Sequence, residues 1–355
     1  MKTRALSVYL GREAARRIAD QGWDPELFSL LMGASGGPKW FILSQLDRVM
    51  FGDFLQRSTL PLSTVGSSIG SWRHACLAMP DPAAAIAELE HGYLYQHYTD
   101  KPSSAEVSEV SLGILQNVLG DNGARELVNH RRIKSHIVTA RGKGAAAASA
   151  SPLLAAGMGI AALGNVVNRN LLTWSFQRVV FHSGESARPE FNFHDFQTCY
   201  ARLSEDNVKN ALHASGSIPF VLSGEHDIAG GPPGRYWDGG IVDYHFNLAD
   251  HCGEGLILYP HFSAGITPGW FDKFLPWRRS ALHETEKLVL LCPNEQFVAQ
   301  LPQGKIPDRS DFTRMDHDAR VRYWENCVSQ SKALAEEFYE LINQSDPLAG
   351  VTVLP

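Results

Sequence analysis

Two glycine-flanked serines and an aspartate standing before a glycine pair are the residues here whose type and spacing suit chemistry. They lie in Gly33-Ala34-Ser35-Gly36-Gly37-Pro38-Lys39, Gly66-Ser67-Ser68-Ile69-Gly70 and Asp238-Gly239-Gly240. A serine hydroxyl is a weak nucleophile until a base takes its proton and the developing charge is stabilised. In Gly-x-Ser-x-Gly the glycines let a strand turn abruptly into a helix, leaving the serine exposed on the elbow. The helix N-terminus beneath it favours negative charge. Ser68 fits, with strand-like Leu62-Ser63-Thr64-Val65 before it and helix-compatible Trp72 to Leu77 after it. Ser35 satisfies the same pattern, and for either serine a plain helix-capping turn is the alternative. What separates them is Gly36-Gly37-Pro38-Lys39, whose consecutive glycine amides suit an oxyanion hole rather than an elbow. The chemistry implied is serine-dependent acyl transfer, most simply ester hydrolysis.

These blocks resemble the patatin-like phospholipase family, in which a glycine-rich oxyanion motif of the form Gly-Gly-Gly-x-Arg/Lys-Gly precedes Gly-x-Ser-x-Gly by one βα unit. Gly36, Gly37 and Lys39 match that motif, while Ser35 and Trp40 depart from it. The family's Ala-Ser-x-Ala-Ile-Pro stretch is similar to Ala214-Ser215-Gly216-Ser217-Ile218-Pro219, which precedes Asp238-Gly239-Gly240. An Asn-x-Pro often found after the aspartate is replaced by Val242-Asp243-Tyr244-His245. The resemblance implies a three-layer α/β sandwich with a mostly parallel central sheet, and a Ser68-Asp238 catalytic dyad working without histidine or cofactor. Gly36 and Gly37 would form the oxyanion hole, and Lys39 would stabilise charge at the oxyanion or a phosphate head group. For Asp238 to act as base it must be partly desolvated and within hydrogen-bond reach of the hydroxyl. An aspartate before glycines is on its own commonly a turn residue.

Alternatives stand beside each assignment. Lys39 also reads as a solvated lysine at a helix start. Asp243 is the second candidate carboxylate. His261 and His283 follow Asp238 in the Ser-Asp-His order of the α/β-hydrolases, which makes a full triad the rival machinery. A catalytically silent relative that binds acyl chains or partner proteins is the non-enzymatic rival. The expected substrates are lipid esters (phospholipid, lysophospholipid or acylglycerol), and a polyester or thioester would suit the same dyad.

The elements that must position these residues follow a βαβ rhythm. Leu27 to Met32 reads as a buried strand, the glycines after it as a turn, and Trp40, Phe41, Leu43, Leu46 and Val49 recur at helical spacing. Strand, turn and helix repeat from Leu62 to Met79, the rhythm of a parallel sheet covered by helices. Asp81-Pro82 opens a helix running to Tyr98, and Ser103 with Glu106 has capping-box spacing. His136 to Thr139, Arg178 to His182, Phe191 to Phe193, Leu256 to Tyr259 and Leu288 to Leu291 read as strands, with a Gly184-Glu185 turn. His317 to Ile342 reads as one amphipathic helix. The expected organisation is a hydrolase domain over 1–300, with a helical insertion at about 80–170, and a C-terminal helix in 301–355 packed against it.

Composition narrows the function classes. A formal charge of -6 over 355 residues, without a Lys/Arg block, gives no electrostatic footprint for nucleic acid. Five widely spaced cysteines without a Cys-x-x-Cys pair argue against a structural zinc site or disulfide framework, and a reducing cytosol is the expected compartment. No His-x-x-x-His spacing suggests a metal. The apolar stretch after Met1 soon meets Arg12 and Glu13, too short for a signal peptide. Leu153 to Val167 falls short of the ~20 residues needed to cross a bilayer. Its Gly157-Met158-Gly159 lacks dinucleotide-fingerprint spacing. It reads as a tightly packed helix or a mobile apolar lid, with Trp174 and Phe176 beyond it. Trp270, Phe271, Phe274, Leu275 and Trp277 line an acyl pocket or interfacial rim, or pack under a loop. Peripheral contact with a membrane or lipid surface is accordingly expected.

Overall fold

Near-continuous apolar runs such as Phe28–Gly33 and Leu288–Pro293 suit strands covered on both faces. In the computed structural model, which describes residues 4–149, 151–184, 191, 193, 195 and 197–355, such runs build one large sheet. Its strands are β1 (Leu6–Leu10), β2 (Phe28–Gly33), β3 (Leu62–Ser67), β4 (Ile133–Gly142), β5 (Phe176–His182), β6 (Thr198–Arg202), β7 (Glu225–His226), β8 (Arg235–Asp238), β9 (Leu256–Pro260), β10 (Leu288–Pro293) and β11 (Thr352–Val353). They run in the order β11-β1-β10-β9-β2-β3-β4-β5-β6, with β8 paired to β4 and to β7. The β10-β9-β2-β3-β4 centre is parallel, whereas β1 against β10 and β5 and β8 against β4 are antiparallel. The protein is therefore α/β, with a mostly parallel mixed sheet and helices.

The parallel register sets the site. Gly33 at the end of β2 lies opposite Gly66 at the end of β3, so both glycine-rich turns leave the sheet at the same edge. The antiparallel pairing of β8 with β4 brings Asp238 opposite Thr139. The two turns almost touch: a Cβ on Gly70 would stand 2.0 Å from the Gly33 carbonyl oxygen, so only glycine fits there. Behind them Arg73, on the helix Ile69–Leu77, makes a buried bidentate ion pair with Asp47, on the helix Ser44–Gly52, through two bonds of 2.7 Å. That pair ties the helix that follows β3 to the helix that follows the glycine-rich turn after β2.

Several expectations change. The stretch 80–170 is not a purely helical insertion, because β4 lies within it and is a central strand flanked by β3 and β5. The helix from Pro82 ends at Tyr95, and Asp81 caps it by accepting from the Ala84 amide. Ser103 caps the next helix, but the Glu106 carboxylate reaches back to Thr99 rather than closing a capping box. The single C-terminal helix is two, His317–Gln330 and Lys332–Asn343. The break falls at Ser331, whose hydroxyl donates to the Val328 carbonyl at 2.7 Å. The segment 301–355 also supplies β11, paired with β1. Glu185 of the expected turn and Asn192 of the expected strand lie outside the described residues. The apolar stretch near 153–167 is the helix Ser151–Val167, and no helix among the described residues is long and apolar enough to cross a membrane.

Candidate active site

Ser68 sits at the junction of β3 and the helix Ile69–Leu77 with φ 54° and ψ −132°. An L-residue there is strained by on the order of 1–3 kcal/mol and persists only where its surroundings hold it. Three contacts do so. The Ser68 amide donates to Ser215 Oγ at 2.9 Å, while the Ser71 hydroxyl and amide donate to the Ser68 carbonyl at 2.7 and 3.0 Å. Ser215 itself donates to the Val138 carbonyl of β4 at 2.7 Å. Replacing Ser215 with alanine is expected to lower stability by about 1–3 kcal/mol, because the buried elbow amide loses its acceptor. Urea unfolding measures that loss, and kcat should fall with it as the elbow relaxes.

The Ser68 hydroxyl donates to Asp238 Oδ2 at 2.8 Å, and Asp238 Oδ1 accepts the Gly240 amide at 2.7 Å. Both side chains are buried. Burial pushes the Asp238 carboxyl above the usual carboxylate range, against the opposing pull of Arg309, the Ser68 hydroxyl and the Gly240 amide. Asp238 is placed by β8, whose Asp238 amide donates to the Ser217 carbonyl at 2.7 Å. The Ala214-to-Pro219 stretch thus holds both members of the pair, Ser215 through the elbow and Ser217 through the aspartate.

Gly36 and Gly37 lie where the chain leaves β2 and enters a 3-10 turn, Gly37–Leu43. Gly37 has φ 55°, a conformation that favours glycine. Neither amide donates to another group among the described residues. Gly36 and Ser68 line one cavity of about 270 Å³. Gly37 and Ser68 line a second of about 910 Å³. Both glycines named from sequence therefore share a cavity wall with Ser68, each in a different cavity. Lys39 also lines the smaller cavity, its ammonium 4.9 Å from the centre of the Phe262 ring. It is half-buried there rather than freely solvated.

The rival residues are engaged in other contacts, although Ser35 also lines the smaller cavity. Ser35 does not share the left-handed backbone of Ser68. Its hydroxyl bonds Ser67 Oγ at 2.8 Å, and Ser67 in turn donates to the Asp243 carbonyl. Asp243 is held by Arg178 through bonds of 2.6 and 2.8 Å, in a buried charge cluster with Arg169 and Asp195. His261 is buried among Tyr259, Phe262 and His245, and its imidazole is pushed down to about 3 by burial. Neither His261 nor His283 lines either cavity, and both Asp238 oxygens are already engaged.

Sequence reading missed two cations and assigned no separate role to Ser215. Lys273 reaches the smaller cavity from the turn Trp270–Phe274. Arg309 reaches both cavities, and a Cβ on Gly37 would lie 3.5 Å from its Nη2. Neither belongs to a local motif. The larger cavity is walled mainly by apolar and aromatic groups, including Ile69, Trp72, Ile114, Leu222 and Phe312. In the aromatic cluster Trp270 lines the smaller cavity, Phe271 packs against Phe176, and Leu275 is buried. Phe274 and Trp277 are exposed.

No protein-family model matches this chain, and no curated protein matches it by sequence.

Proposed function

We propose that the chain is a serine acyl hydrolase of lipid esters, patatin-like in its three-layer architecture and its dyad. The observation that carries this reading is the 2.8 Å bond from Ser68 to buried Asp238 at a strained strand-to-helix elbow. Asp238 takes the hydroxyl proton as Ser68 Oγ attacks the ester carbonyl. The tetrahedral oxyanion is met by the Gly36 and Gly37 amides, with Lys39 and Arg309 adding positive charge. Collapse of that intermediate releases the alcohol, which takes the proton back from Asp238, and leaves Ser68 acylated. Water attacks the acyl-enzyme with Asp238 again as base, freeing the carboxylic acid and restoring the serine. No step requires a cofactor.

The apolar walls of the larger cavity favour an acyl chain as the group held on one side of Ser68. The departures from the family pattern do not empty the site. Trp40 is a buried core residue stacked on Phe41, and Ser35 is engaged with Ser67. These placements favour the enzyme over a silent acyl-binding relative.

A lipid surface is the proposed place of work. The helix Ser151–Val167 packs small residues inward, where a Cβ on Gly157 would meet the Ala146 amide at 2.5 Å. Its outer face and the neighbouring turns expose Leu163 at 72%, Trp174 at 69%, Phe274 at 89% and Trp277 at 69%. Asn165 ties this helix to the cavity-lining turn by donating to Asp272 at 2.7 Å.

A fluorophosphonate probe tests the reading. Wild type and Ser35→Ala are expected to label, while Ser68→Ala loses labelling and ester turnover together. A folded wild-type protein that stays unlabelled overturns the assignment.

A further inference from the structure

Two cavities meet at Ser68, and they differ in charge. The larger is mainly apolar, as an acyl chain requires. The smaller, of about 270 Å³, is entered by three cationic side chains from separate parts of the chain: Lys39, Lys273 and Arg309. None of them has a carboxylate within salt-bridge distance among the described residues. Lys39 rests against Phe262, and Lys273 stands 3.9 Å from the centre of the Tyr244 ring.

The two carboxylates lining the same cavity offset the three cations only in part: Asp238 attracts Arg309 and Lys273, and Asp308 attracts Lys39, without closing an ion pair with any of them. Asp238 accepts from the Ser68 hydroxyl and the Gly240 amide, both neutral donors. Asp308 is taken up by Lys305, which lies outside the cavity, at 2.9 Å, and by the Ser310 amide and hydroxyl. The cations repel one another: the Lys273 ammonium is driven down to about 7 by burial first, then by Lys39 and Arg309. Unpaired charges in a partly buried cavity are unfavourable unless a ligand completes them.

We propose that this cavity is a phosphate site on the alcohol side of the scissile ester, and that the preferred substrates are acyl esters of alcohols bearing a phosphomonoester. A carboxylate needs one or two donors, whereas a tetrahedral phosphate uses three directions. A monoester carries close to two negative charges at neutral pH, against one on a diester. Lys39, Lys273 and Arg309 supply charge-assisted donors from three separate parts of the chain. Ser68 and Arg309 border both cavities, which places the ester at their junction, acyl chain to one side and phosphate to the other. The inference rests on the acyl hydrolase reading for its substrate, but the anion site can be measured without turnover.

Inorganic phosphate titrated into the full-length Ser68→Ala protein by calorimetry tests the site. Binding is expected, and Lys273→Met or Arg309→Met in that background should weaken it at least about tenfold, the equivalent of about 1.4 kcal/mol. Lys273→Gln is the second variant should the methionine variant fail to fold. Absence of phosphate binding, or equal binding by the folded variants, overturns the site. The substrate is tested by kcat/KM of the Ser68 enzyme on 1-acylglycerol 3-phosphate, the matching 1-acylglycerol and the matching phosphocholine diester. Preference for the phosphomonoester over both, reduced about tenfold by Lys273→Met, is the expected result. Phosphate binding with equal rates on the three esters would make the site one for free phosphate and overturn its assignment to substrate. Phosphate binding by a wild-type protein that fluorophosphonate does not label would instead sink the hydrolase reading and leave the anion site standing.

Discussion

Asp238→Asn is expected to lower kcat/KM on a simple acyl ester by about 10²–10⁴-fold, the span typical of removing a general base. The amide preserves the shape around Ser68 but does not take its proton. The pH profile gives the same group a second signature. Burial raises the Asp238 carboxyl above its ordinary range, and the base must be ionised to act. Rate should therefore fall as pH drops through that raised value, at a higher pH than an exposed aspartate would give. The sign for stability runs the other way. A raised carboxyl in the fold favours the protonated form, so its contribution is present below the unfolded value and lost as pH rises through the folded one. Asp238→Asn mimics the protonated state and should melt no lower than wild type at neutral pH while losing activity. Loss of activity together with a lower melting temperature would point to structural damage instead, and an unchanged rate would remove Asp238 from the mechanism.

Arg73→Met is expected to be the most destabilising of the substitutions considered, by about 3–5 kcal/mol, the range for removing one partner of a buried ion pair. Asp47 has no exposed surface, and burial already pushes its carboxyl upward against the pull of Arg73. Without the guanidinium, the two helices behind the site are left with a buried group that must take up a proton or unfold. The double variant Asp47→Leu with Arg73→Met should recover most of the loss, because burying two well-packed apolar groups in place of an ion pair is often neutral. Urea denaturation of the single and double variants measures both. A single variant within about 1 kcal/mol of wild type would mean that the pair carries no such load.

The elbow and the carboxylate could be read from sequence because both are governed by local backbone geometry. A turn from strand to helix needs glycine where chains approach, and Gly66, Gly70, Gly239 and Gly240 mark those places. The parallel centre of the sheet was legible for a similar reason, since Phe28–Gly33, apolar but for Ser29, and Leu288–Pro293 suit strands covered on both faces. What could not be read arrives through tertiary structure alone. Arg309 and Lys273 sit in short turns without periodicity, and nothing nearby in sequence shows that they face Ser68. β1 alternates buried and half-buried residues over five positions, too short to distinguish from a loop until β10 pairs with it. The break at Ser331 was invisible because Val328, Leu334 and Phe338 keep apolar spacing on both sides of it.

Arg309 borders both hollows beside Ser68, yet it is separated from that serine by most of the polypeptide. During synthesis the serine, the glycine amides and the aspartate all leave the ribosome well before that guanidinium does. A nascent chain, or one cut between residues 238 and 309, would hold the dyad but lack a wall of its pocket. Completion of that pocket is thereby coupled to completion of the chain.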